Sequence, residues 1–124
     1  MPNLDTLDAA IQVYFEAIHE CDVIKLNAVF HPNSSLFDGD NGDIFVEHID
    51  SFSADVAGRT SPHSVGQNLE AETLLIDYLS PISATVKIRI RAHKNVFVDH
   101  LSFVKGGKGW QIVSKIWHLE RVIA

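Results

Sequence analysis

One cysteine, Cys21, is all this sequence has, so no disulfide can close within the chain. Flanked by Glu20 and Asp22, that thiol lacks a basic neighbour to activate it, and such scarcity suits a reducing compartment. Positive charge is also in short supply. Ten Lys and Arg stand against sixteen Asp and Glu, a net charge of −6, which speaks against nucleic-acid or anionic-membrane binding. No apolar run approaches the roughly 20 residues of a membrane span. The opening MPNLDTLDAA carries acids where a signal peptide would be basic, so a cytoplasmic location is expected. His-Glu-x-x-His, paired-cysteine, phosphate-loop and Gly-x-Ser-x-Gly motifs are all missing, and the histidines fall at no ligand spacing. Neither a metal nor a cofactor is therefore expected.

What is present is the material of one domain, residues 1–124, with 46% hydrophobic and 21% charged residues. Leu4, Leu7, Ile11, Tyr14, Phe15 and Ile18 recur at helical steps over 4–21, with Asn3, Asp5 and Thr6 as cap candidates. Tyr14 lies inside this apolar stripe, so its hydroxyl needs a partner. Asp22 then caps a shorter helix with Leu26, Val29 and Phe30 on its buried side, ended by Pro32. His31 is a helix-end residue or a pocket residue. Residues 34–39 read as a short strand with Leu36 and Asp38 on one face, followed by the turn GDNG. Asp38 is a turn residue, a solvated strand end, or a site residue. Helical spacing returns over 44–58 through Phe45, Ile49, Phe52 and Val56, and 59–68 is a loop rich in turn formers.

From residue 69 onward the pattern is that of strands. In ISATVKIRIRAH, Lys87, Arg89 and Arg91 oppose an apolar face and should pair with acids such as Glu70 or Glu72 on the preceding strand. GGKG at 106–109 connects the last two strands. The final one sets Trp110, Ile112 and Ile116 against Val113, Trp117 and Leu119. Before it comes VFVDHLSFV, 96–104, where alternation places Asp99 among Phe97, Leu101 and Phe103. A carboxyl there must be hydrogen-bonded, line a wet pocket, or stay protonated. It either satisfies a buried hydroxyl or backbone group or faces a ligand cavity. Three helices followed by an antiparallel meander predict an α+β fold, helices packed on one face of a curved sheet. The space they leave unfilled is the natural ligand pocket, and the apolar excess of the last two strands predicts a homodimer through the sheet.

Four stretches carry a resemblance: YFEAIHECD at 14–22, AVFHPNSSLFD at 28–38, the D-x-x-x-F of 99–103, and G-W-x-I-x-x-K at 109–115. Together they resemble the NTF2-like superfamily over nearly the whole chain. That cone-shaped α+β fold includes SnoaL-like cyclases, scytalone dehydratase, ketosteroid isomerase, and DUF4440-type and "putative lumazine-binding" proteins. The ending is most similar to the last group. The resemblance to ketosteroid isomerases implies three site positions. Tyr14 stands where their oxyanion tyrosine does, Asp38 where their base does, and Asp99 where a second, protonated oxyanion donor does. This chain departs from them after Asp38, where GDNG replaces proline and an apolar loop and would leave that carboxyl wet and weakly basic.

Three function classes follow. The first is a binder of a small, partly planar molecule, walled by Tyr14, Phe52, Phe97 and Trp117 and oriented by Asp99 or His31. The second is a ketosteroid-isomerase-like or SnoaL-like enzyme, in which Asp38 removes a proton beside a carbonyl while Tyr14 and Asp99 stabilise the enolate. The third is a protein-interaction module using an exposed sheet face.

Overall fold

Thr6 starts the first helix by accepting a hydrogen bond from the Ala9 N–H, and Asp8 adds negative charge to the first turn. The computed structural model describes residues 2–124. In it α1 spans Leu7–Glu20 and ends on Cys21, whose left-handed conformation lets its N–H reach the Ala17 carbonyl. The reversal brings Asp22 to the head of α2, Val23–Val29, where its carboxylate accepts from the Ile24 and Lys25 N–H groups. Strand β1, Phe30–Asp38, follows without a break and so begins earlier than Pro32 suggests.

The stretch expected as one helix over 44–58 divides in two. Phe45–His48 form β2, and only Ile49–Ala57 form α3, capped by the His48 ring accepting from the Asp50 N–H. Phe45 is accordingly on a strand and half exposed, whereas Ile49, Phe52 and Val56 are buried as the spacing predicts. Pairing with β1 claims the first turn's worth of residues, and tertiary pairing overrides a spacing that only four residues carry. Four long strands complete the chain: β3 Ala71–Ser80, β4 Ser83–Ala92, β5 Asn95–Gly106 and β6 Gly109–Val122.

The six strands form one sheet in the order β2-β1-β6-β5-β4-β3. All neighbours are antiparallel except β1 and β6, which run parallel. The three helices pack on one face of this mixed, mostly antiparallel sheet, an α+β architecture. Between them lies a core that includes Ile11, Phe15, Leu26, Phe30, Val86, Ile88, Leu101 and Ile112. On the opposite face Arg89 pairs with Glu72 and Glu120, and Arg91 with Glu70, the cross-strand pairs the alternation implies. Among the described residues no helix is long and apolar enough to cross a membrane, and no cluster of His, Cys, Asp or Glu could hold a metal ion.

One irregularity in β6 decides what faces the helices. Phe103 pairs with Ile112, but Ser102 pairs with Ser114, so Val113 is an extra residue in the ladder. Side-chain parity therefore inverts at that point. Trp110 and Ile112 point inward before it, and Lys115 and Trp117 point inward after it, opposite Leu101 and Asp99. The faces expected from simple alternation are corrected here: Ile116, grouped with Trp110 and Ile112, is more than half exposed on the outer face.

Candidate functional site

Position 14 is about two turns into a helix whose apolar stripe lies on the sheet, so the Tyr14 ring is fully buried. It packs against Phe30, with centroids 6.0 Å apart. Its hydroxyl meets the inward-facing carboxyl of β5 and donates to Asp99 Oδ2 at 2.5 Å. Burial, reinforced by the charge and hydrogen bond of Asp99, pushes the Tyr14 phenol well above its ordinary range, so it remains a donor.

Sequence reasoning did not single out the third member of this cluster. The Lys115 ammonium lies 3.7 Å from Asp99 Oδ2, on a side chain with 8% exposure. It also stands over three ring faces, 4.8 Å from the Phe52 centroid, 5.2 Å from Tyr14 and 6.0 Å from Trp117. Burial pushes the Lys115 amine below its ordinary range, and the Asp99 carboxylate opposes that shift. A buried carboxyl with a phenol and an ammonium beside it is a compensated pair. The lysine is a counter-charge that the resemblance to isomerases does not include. A signal was available: on alternation alone Lys115 shares a face with Val113 and Trp117, a charge among apolar neighbours just as Asp99 is.

The other oxygen, Asp99 Oδ1, is buried with no hydrogen-bond partner. Asp99 belongs to the wall of a cavity of about 130 Å³ lined by Tyr14, Ile18, Glu47, Phe52, Arg59, Ile90, Ala92, Phe97, Asp99, Lys115 and Trp117. A second hollow of about 410 Å³ shares Ile18, Arg59, Ala92 and Phe97 with it and extends past Cys21 and His93. Aromatic faces thus surround a few polar groups at one end, the usual chemistry of a small-molecule site. At the rim the Arg59 guanidinium lies 5.4 Å over the Phe52 ring, and Phe45 meets Trp117 edge-on at 5.9 Å. Glu47 faces in from β2, and burial, with Asp55 nearby, holds its carboxyl above the usual range.

Of the residues the sequence nominates, Tyr14, Phe52, Phe97, Asp99 and Trp117 come together in this wall. Asp38 and His31 do not line it. Asp38 stands at the end of β1 with Oδ1 accepting from the Asp40 N–H, so the GDNG turn engages it. His31 uses Nδ1 to accept from the Asn33 N–H at the opposite end of that strand. The cluster therefore supplies a hydrogen-bonded phenol, an unpartnered carboxylate oxygen and a buried amine, with Glu47 rather than Asp38 as the further carboxyl on the cavity.

Solved structures share this architecture. An NTF-2 like protein of unknown function from Silicibacter pomeroyi DSS-3 is 18% identical, with a TM-score of 0.80 over 92% of each chain. An NTF2-like protein of unknown function from Shewanella baltica OS155 is 19% identical, with a TM-score of 0.78 over 90% of this chain and 89% of its own. A ketosteroid isomerase-like protein from Erwinia carotovora atroseptica SCRI1043 is 14% identical, with a TM-score of 0.68 over 93% of this chain and 94% of its own. At such identities the likeness is one of fold. No curated protein matches the chain. The family described as "Putative lumazine-binding" matches residues 3–118. With that match the chain belongs to this family, and its fold is NTF2-like.

Proposed function

We propose that this protein binds a small, partly planar molecule in the cavity between α1 and the sheet. One observation carries the reading: Asp99 Oδ1 is buried and unpartnered while Oδ2 is occupied by Tyr14. An acceptor left in that state costs roughly 1–3 kcal/mol, which a ligand N–H or O–H would relieve. The amine of Lys115 offers a donor for a carbonyl or anionic oxygen of the same molecule. Phe52, Phe97 and Trp117 provide faces for its ring. Lumazine, the compound named in the family's description, presents ring N–H donors beside carbonyl oxygens on a flat bicycle and so matches this polar pattern.

Tryptophan emission tests the reading. Trp117 borders the cavity, whereas Trp110 is buried beside Tyr78 and does not. Titration with lumazine should quench the emission saturably in the wild-type chain and leave Trp117→Phe unchanged. A folded wild-type chain whose emission does not respond contradicts the proposal.

The same reading includes a homodimer built through the outer sheet face. Val104, Val113 and Ile116 lie exposed there on neighbouring strands, with Lys87 and Asp77 nearby as charges of opposite sign. A face that carries both signs around an apolar centre complements a second copy of itself under two-fold symmetry. Sedimentation at micromolar concentration should give a dimer for the wild type and a monomer for Ile116→Lys. A monomeric wild type removes this part of the proposal.

A further inference from the structure

We infer that Lys115 condenses with carbonyl compounds that enter the cavity, holding them as an imine. This rests on the cavity reading above and assigns it a substrate class: small planar aldehydes and ketones. The chain contains five other lysines, Lys25, Lys87, Lys94, Lys105 and Lys108, and none of them lines this cavity. Lys115 is set apart by its place inside an apolar, aromatic-walled hollow that continues into a larger one.

An amine attacks a carbonyl only when unprotonated, and an apolar pocket is the setting that frees a lysine for this chemistry. Burial does push this amine below its ordinary range, Asp99 notwithstanding. The ion pair and the ring faces favour positive charge at Nζ, but an iminium keeps that charge at the same atom. The surroundings that hold the ammonium therefore also hold the product.

The step balances without an outside reagent. The Asp99 carboxylate, 3.7 Å from Nζ through Oδ2 and with Oδ1 unpartnered, accepts a proton from the ammonium. The freed Nζ lone pair forms a bond to the carbonyl carbon, and the C=O π pair moves onto oxygen, which takes up the proton that Asp99 holds. The nitrogen then gives up one of its two protons to the Asp99 carboxylate, which passes it to the hydroxyl; the freed nitrogen pair forms the C=N bond as the C–O bond breaks, and the oxygen leaves as water. Ammonium and carbonyl become iminium and water, with no change in net charge. Apolar walls limit the water that would reverse the last step.

Para-hydroxybenzaldehyde with sodium cyanoborohydride, followed by peptide mapping, tests this on the full chain. Lys115 should be alkylated about ten-fold or more faster than the other five lysines. Its labelling should also rise with pH at a lower value than theirs, the direction a depressed amine requires. Lys115→Arg should keep the fold, judged by circular dichroism, and lose the fast label. Labelling of Lys115 no faster than the others, with Trp117 quenched by the aldehyde, overturns the imine and leaves the binding site standing. Neither quenching nor labelling by this aldehyde overturns the imine, and a parallel lumazine titration that also fails overturns the cavity reading with it.

Discussion

Replacing Asp99 by leucine alone should destabilise the protein by roughly 3–5 kcal/mol, because the buried Lys115 ammonium then has no counter-charge. For a chain of 124 residues each kcal/mol is worth about 3–5 °C, so the melting temperature should fall by about 10 °C or more. Lys115→Met should cost less, since Asp99 keeps the Tyr14 hydrogen bond. The double substitution Asp99→Leu with Lys115→Met should be more stable than Asp99→Leu. It replaces a desolvated pair by apolar side chains in an apolar shell, and such exchanges are often neutral or favourable. Thermal and denaturant unfolding of the four chains gives the coupling directly. A double variant no more stable than Asp99→Leu would show that the two groups do not compensate each other.

Gly109→Ala should be nearly as damaging, from backbone geometry alone. Gly109 opens β6 at φ +93°, a conformation side chains rarely adopt, and a Cβ there would sit 2.8 Å from the Leu4 Cβ. It would press also on the Leu4 carbonyl, which accepts the Trp110 N–H at 2.8 Å and ties the chain's start to β6. Left-handed strain of about 1–3 kcal/mol plus the clash should lower stability by roughly 3 kcal/mol. The neighbouring Gly107 is the control: nothing lies within 4 Å of a Cβ there and its φ is not positive, so Gly107→Ala should change the unfolding midpoint little. Equal effects at the two positions would refute this account of the hairpin.

These two sites mark what could and could not be read from the chain. Asp99 was legible because one carboxyl interrupts an otherwise apolar alternation, and period-two patterning survives wherever a ladder is regular. Tyr14 was legible by the same logic on a helix. Lys115 carried the same signal, yet it stands after the extra residue Val113, and a bulge is invisible to alternation. Ile116 was placed on the wrong face for that reason. Phe45 kept step with Ile49, Phe52 and Val56 but belongs to β2, since strand pairing with β1 outweighs one apolar position in a helical row. The resemblance to isomerases located two of its three residues on the cavity. At the third, the GDNG turn uses the Asp38 carboxyl locally, as the departure in sequence implied.

The central claim is that Asp99 and Lys115 form one polar end of a cavity that receives a ligand, and binding by the doubly substituted chain tests it most directly. Lumazine titration, followed by tryptophan emission, should quench the wild type saturably. The folded Asp99→Leu, Lys115→Met chain should bind at least about a hundred-fold more weakly, having lost two charge-assisted contacts. Equal affinity of the two chains would contradict the account.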